Sequence, residues 1–399
     1  MIRHEAEGHF KYPYLTVSYG QHYGGAIFSW DNHHMSLRFA ASGEPEQMRY
    51  FVENMLSFQT SAGYVPCVIS AADGGNGALS DFHAQPFLAQ NAAIYTRLTG
   101  DAAWASTVFD KLRNYLRYWL EQHAAPFGLY RWRYPYMSGF DNEIAATIFP
   151  PDTIISPDLN AWLYLELRSL AYLAGELHDA TAQQDYNRRA EELKTAINSY
   201  LWDDEFGTYA AYDLNAGKCR ISWGDGTLSG DVGRYAYLSC PGLIPLFARL
   251  ATPEQAQRMI KHYVLSPEHF RSPYGIRSLS KASEYYNQAR WGNPPRYGDP
   301  RRLTNSNWQG PVWIPLNWLV FHALLHYGFA AEAEHLAEDT YKVIAMSVAQ
   351  FGFMRENFHG ETGEALYADH FASWNILADL MPDYLPGGQM RLPLFAFET

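Results

Sequence analysis

Residues 158–179 read DLNAWLYLELRSLAYLAGELHD. Leu159, Leu163, Leu167, Leu170 and Leu173 recur at steps of three and four, the period that gathers side chains on one face of an α-helix. The following stretch, TAQQDYNRRAEELKTAINSYLW at 181–202, keeps that period, with Thr181 placed to cap a polar first turn. Two such segments across a short turn make an antiparallel helix pair. Further pairs are predicted for 45–60 with 86–98, 101–122 with 158–178, 241–250 with 253–264, and 311–327 with 330–350. Strand-like alternation is confined to short pieces such as GTYAAYDL at 207–214.

Between these helices lie long segments rich in Gly, Pro and aromatics, at 61–84, 126–157, 220–240 and 270–310. Loops of that length inside a compact domain are usually functional. Repeated helical pairs with such loops gathered at one end predict an all-α fold, an (α/α)6 barrel. A helical solenoid would need a fixed-period repeat, and none is found. No polar or Gly/Ser linker divides the 399 residues, so one domain spanning 1–399 is expected.

Composition narrows the function. A hydrophobic content of 47% supplies a large core, and 12 Trp with 29 Tyr exceed ordinary usage. Flat aromatic faces pack on the C–H faces of sugars, although part of this set must simply fill the core. A net charge of -12 without a basic cluster argues against a nucleic-acid partner. No apolar run is long enough to span a membrane, and MIRHEAEGHFKYPYL lacks the apolar core of a signal peptide, so a cytoplasmic protein is expected. Cys67, Cys219 and Cys240 are too few and too scattered for a disulfide framework or a zinc site, and are expected to be free thiols.

The loops hold isolated carboxylates among aromatic and amide residues. FSWDNHHMS contains Asp31, SGFDNE contains Asp141, TIISPDLNAW contains Asp158, SWGDGTLSGD contains Asp225 and Asp231, and FGFMRENFHGETGEALY contains Glu356. Hydrolysis of a glycosidic bond needs one protonated carboxyl to assist the leaving oxygen and one ionised carboxyl to activate water or attack carbon. Apolar surroundings disfavour the charged form and raise a carboxyl pKa, which suits Asp141 with Phe140, Met137 and Tyr136 beside it for the acid. Each residue also has a plainer role. Asp158 follows Pro157 where a helix cap belongs, Asp31 and Asp141 precede Asn in turn-forming sequence, and Glu356 alone reads as a solvated or capping residue.

Other chemistries fit less well. HALLH puts His322 and His326 four apart, but Ala323 stands where a metalloprotease carries Glu. GGNGALS lacks a phosphate-loop Lys, no G-x-S-x-G elbow occurs, and adjacent His33 and His34 are expected to point apart. No metal or cofactor is expected.

FSWDNHHMSL, SGFDNE, NSNWQGPVWIPLNWLVFHALLHYG (305–328) and RENFHGETGEALYADHFASWN (355–375) together resemble glycoside hydrolase family 63, which shares a clan with the family 37 trehalases. The resemblance runs in order from about residue 28 to residue 381. It implies an (α/α)6 barrel and an inverting mechanism. The acid of the SG-x-DN segment falls on Asp141 and the base of the EN-aromatic segment on Glu356. Trp30 and Asp31 resemble the pair lining the sugar subsite, Trp308, Gln309 and Gly310 border the same pocket, and Trp374 follows the base. Gln85 and Trp223 complete the candidate substrate contacts. Gln309 stands where many relatives have Arg, and Phe358 where many have Tyr.

The resemblance thus implies a small inverting α-glycosidase whose partner is a small carbohydrate, a disaccharide or a glucosylglycerate-like glycoside. For an anionic aglycone, Arg131, Arg133, Arg277, Arg301 and Arg302 are the loop cations to consider, as partners or as plain surface charge. Two other classes stay open: an (α/α)6-barrel sugar epimerase using histidines, and a sugar-binding protein without turnover.

Overall fold

The computed structural model describes residues 2–19, 23–75, 82–222, 233–292, 306–388 and 392–398. Trp223, Asp225, Asp231, Arg301 and Arg302 lie outside the described residues. The chain gathers into two compact units built from non-contiguous segments, 1–124, 162–193 and 370–399 in the first, and 125–161 and 194–369 in the second.

In the first unit, helix Ser29–Ala41 packs on helices Glu46–Ser57 and Leu88–Thr99 and on the 3-10 helix Ser373–Leu380. The sequence pattern does not reveal the first of these helices, because FSWDNHHMS reads as loop. Almost all of it is buried, polar residues included, so no apolar stripe survives to be counted. Its polar groups are instead satisfied one by one. Asn32 Nδ2 donates to Leu15 O and Phe28 O at 3.2 Å, and Ser36 Oγ donates to Asn91 Oδ1 at 2.7 Å.

The leucine stripe of 158–179 is borne out as helix Pro157–Glu176, with Leu159, Leu163, Leu167, Leu170 and Leu173 all buried. Helix Ala180–Tyr200 returns antiparallel to it. Gly175 faces that helix, with the end of the Gln183 side chain lying where a Cβ would stand. Thr181 is not the cap. The helix already starts at Ala180, and Asp179, directly before it, accepts Ala182 N on Oδ1 at 3.0 Å, satisfying one of the free amides of the first turn.

Another acceptor comes from far along the chain. Helix Leu88–Thr99 has no cap of its own, and the fully buried Glu166 takes that place, accepting Ala89 N at 3.0 Å and Gln90 N at 3.3 Å.

In the second unit, helices Ile314–His326 and Ala330–Phe351 pack side by side, joined by Asn317 Nδ2 donating to Thr340 Oγ1 at 2.9 Å. The first of them begins at Ile314 rather than 311, because Val312 is extended and pairs with both Arg277 and Phe358. The helix expected over 241–250 shrinks to a 3-10 turn at Cys240–Leu243 and one α-turn at Ile244–Phe247; Pro241 and Pro245 open these turns, where a missing N–H is tolerated. Helix Pro253–Met259 opens on a Thr252–Gln255 capping box and runs on as a π-turn through Val264. Strands are two or three residues long, GTYAAYDL contributing Thr208–Tyr209 and Tyr212–Asp213. All three cysteines are free. Among the described residues no helix is long and apolar enough to cross a membrane.

Burial pushes the Glu166 carboxyl up to about 8, against hydrogen bonds from Gln90 and Ala89 that favour its charge. Between an unfolded value near 4.5 and about 8, the native chain holds a proton that the unfolded chain has released. This group's contribution therefore declines as pH rises through that window. Glu166→Gln is expected to flatten the fall in Tm between about pH 5 and about pH 8, measured by thermal denaturation.

Candidate active site

The turn carrying Asp141 is fixed from both sides. A 3-10 turn at Pro135–Ser138 ends on Gly139, whose φ of 82° lies in the left-handed region that glycine tolerates. Phe140 N donates to Ser138 Oγ at 3.0 Å and Glu143 N to Phe140 O at 2.8 Å. Glu143 then caps helix Ile144–Ile148 by accepting Ala145 N at 3.1 Å and Ala146 N at 2.9 Å, and receives the Ser239 hydroxyl. Phe140 is buried, with its ring centroid 4.8 Å from Trp308, which stacks on Trp313 at 3.9 Å.

Asp141 keeps a partly exposed side in this apolar setting. Desolvation pushes its carboxyl up to about 6, opposed by Ser306 Oγ donating to Oδ2 at 2.6 Å.

Ser306 opens the segment on which the site is assembled. Trp308 N donates to Asn142 Oδ1 at 2.6 Å, Gln309 Nε2 to Asn142 O at 2.9 Å, and Asn307 Nδ2 to Asn287 Oδ1 at 2.7 Å. Gln309 Oε1 accepts from Asn287 Nδ2 at 3.4 Å, so this buried amide is engaged within the protein at both ends. Gly310 is required by packing: a Cβ there would lie 2.0 Å from Asn287 O.

Two residues on, Val312 exchanges backbone hydrogen bonds with Phe358 at 2.7 and 2.9 Å. Phe358 belongs to the hairpin Asn357–Phe358/Ala365–Leu366, and Glu356 directly precedes it. Glu356 is buried, and its amide donates to Ala368 O at 3.2 Å. Asp141 and the strand after Glu356 are therefore both hydrogen-bonded to the one stretch 306–312. The amide residues Asn142, Asn287 and Asn307, with Ser306 and Glu143, were not singled out from sequence; their only signal is a run of polar side chains inside aromatic segments.

The first-unit candidates cluster at the start of helix Ser29–Ala41. Asp31 lies in its first turn, not in a loop, and accepts the Ser373 hydroxyl next to Trp374. Gln85 accepts the Ser29 hydroxyl. Trp30 packs 5.4 Å from Phe87, and Trp374 packs 4.8 Å from Phe371; both indoles are buried.

Other candidates have structural duties. Asp158 lies one residue inside its helix, and its carboxylate accepts Trp132 Nε1 at 3.1 Å and is also hydrogen-bonded by the Ser156 side chain and the Leu159 amide. Burial pushes its carboxyl up to about 6 as well. Buried Arg277 is spent on Glu361, at 2.8 Å from Nε and 2.7 Å from Nη2, and on the carbonyls of Pro267, His269 and Arg271. Arg131 pairs with Asp152 at 3.4 Å, and Arg133 is exposed. His33 and His34 do not point apart; their rings meet at 5.1 Å, although Asn91 and Trp30 O occupy their Nδ1 atoms. Burial pushes His34 down to about 4 and His322 to about 3. Among the described residues no group of three or more side chains is arranged to hold a metal.

A sequence profile described as the mannosylglycerate hydrolase MGH1-like glycoside hydrolase domain matches residues 25–374. The mannosylglycerate hydrolase of Rubrobacter radiotolerans is 27% identical over 219 residues, a match spanning 54% of this chain and 40% of that protein. The crystal structure of the family 63 mannosylglycerate hydrolase of Thermus thermophilus in complex with glucose superposes with a TM-score of 0.71 at 20% identity, covering 94% of this chain and 96% of the other. Neutral trehalase from Saccharomyces cerevisiae gives a TM-score of 0.68 at 18% identity, covering 94% and 74%. These likenesses establish the all-α (α/α)6-barrel fold expected from the sequence.

Two substitutions probe the shared segment. Ser306→Ala removes a donor that favours ionised Asp141, so the Asp141 pKa is expected to rise above about 6, read by carboxyl-carbon NMR titration. Gly310→Ala, which drives a Cβ into a backbone carbonyl, is expected to cost about 1–3 kcal/mol in chemical denaturation.

Proposed function

This chain belongs to the mannosylglycerate hydrolase MGH1-like glycoside hydrolase family, and we propose that it is an inverting α-glycosidase with Asp141 as general acid and Glu356 as general base. In one displacement Asp141 gives its proton to the leaving oxygen as the anomeric C–O bond breaks. Glu356, ionised, takes a proton from the water that attacks the opposite face, so an α-glycoside yields a β-sugar. Such a pair stands about 6.5–9.5 Å apart to admit the water.

The observation that carries this reading is the joint attachment of Asp141 and the strand after Glu356 to residues 306–312. Partial exposure beside apolar packing suits Asp141 to hold and release a proton near neutrality. Asp158, as strongly perturbed, is fully buried under Trp132.

The substrate proposed is a small α-glycoside, glucosylglycerate-like or a disaccharide. Mannosylglycerate hydrolases among the relatives support the first kind. Trp308, Gln309 and Gly310 are proposed to border the sugar pocket, with Trp30, Asp31 and Trp374 retained as sugar contacts on the family resemblance and Gln85 and Trp223 as further candidates.

Asp141→Asn and Glu356→Gln are each expected to lower hydrolysis about 10²–10⁴-fold with the helical circular dichroism unchanged. The acid must be protonated to work, so kcat/KM is expected to fall as pH rises above about 6. The first-formed anomer, followed by proton NMR in a screen of α-glycosides, decides the stereochemistry. Initial β-sugar supports inversion, and initial α-sugar refutes it.

A further inference from the structure

Trp291 is 56% exposed, and among the described large apolar side chains only Tyr341 is more so. A single exposed apolar residue is ordinary on a flexible surface. The backbone carrying this one is not free. In the four residues before it, Asn287 N donates to Gln309 O at 2.9 Å and Ala289 O accepts Asn307 Nδ2 at 2.9 Å, while the Gln288 side chain accepts Gly360 N at 2.9 Å. Immediately after it, Gly292 lies so close to the acid's surroundings that a Cβ there would come within 2.2 Å of Ser306 O and 2.4 Å of Asn142 Nδ2.

The indole itself leans on the other half of the site. It meets the Tyr367 ring edge-on at 4.7 Å, and Tyr367 precedes Ala368, whose carbonyl accepts the Glu356 amide. The Arg290 guanidinium lies 5.7 Å from the indole centroid. A large flat apolar side chain is thus held in water between the neighbours of Asp141 and those of Glu356.

We propose that Trp291 is a specificity residue for the leaving group, a platform that stacks on an aglycone presenting a flat C–H face, namely a second pyranose ring. This rests on the glycosidase reading above. In that reading the leaving oxygen takes its proton from Asp141, and the assignment of position 291 to the leaving-group side rests on the contact of Gly292 with Asn142, the residue after Asp141. The indole supplies dispersion and apolar contact to the ring, and Arg290 supplies donors to its hydroxyl oxygens. A small acyclic aglycone offers no such face and gains little.

Two α-glycosides of the same sugar test this, one a disaccharide and one with glycerol as aglycone. Trp291→Ala is expected to lower kcat/KM about tenfold for the disaccharide, through KM, and to leave the glycerol glycoside within about twofold. Trp291→Phe should recover most of the loss. Equal losses on both substrates, or none on the disaccharide, overturn the platform. Calorimetric binding of the same disaccharide separates this from the glycosidase reading. Weaker binding to Trp291→Ala, about tenfold, supports the platform even if the wild type hydrolyses nothing, and unchanged affinity overturns it whatever the turnover.

Discussion

Backbone pairing between Val312 and Phe358, with Ser306 six residues earlier holding Asp141, is the constraint on which the candidate site depends. Two carboxylates from distant parts of the chain can act as a pair only if something removes their freedom. A single segment, 306–312, is hydrogen-bonded to the turn of Asp141 through Ser306, Trp308 and Gln309 and to the hairpin after Glu356 through Val312. Positional freedom in either partner would cost rate, because proton transfer requires hydrogen-bond reach. The same segment must stay extended to make these bonds, which delays the following helix to Ile314.

Carboxylates recur in the interior, and burial acts on them in one direction. Asp141, Glu143, Asp158 and Glu166 all have their carboxyls pushed up chiefly by desolvation, and all are held by neutral donors. A raised pKa therefore does not identify the acid. What separates the four is occupancy and access: Glu143 and Glu166 serve helix N-termini, Asp158 is covered by Trp132, and of the four only Asp141 keeps a partly exposed side. Glu361 shows the opposite case. Partial burial acts against its charge, yet hydrogen bonds from Tyr286, Arg277 and Lys281 hold it down at about 2.

The helical class was legible because amphipathic and fully apolar helices leave a 3.6-residue period, as the leucines of 158–179 do. Helix Ser29–Ala41 left none, since Asp31, Asn32, His33 and Ser36 are buried alongside its apolar residues, each with a partner far away in sequence. Caps were half legible. Asp179 lies within two residues of the expected Thr181, whereas the Glu166 cap on Leu88–Thr99 joins residues that no local pattern connects.

The sequence by itself determined the all-α class, the leucine-striped helix of 158–179 and the free cysteines, because periodicity and residue chemistry are properties of short stretches; the two carboxylates proposed for catalysis came from it only through the family resemblance. Only the tertiary structure decided that Gln309 and Arg277 are engaged inside the protein, that Asp31 begins a helix, that Ser306 holds Asp141, and that Trp291 stands in water beside the acid's neighbours. Those outcomes depend on which polar groups meet across long separations, and hydrogen-bond satisfaction in a buried interior is settled by the whole packing.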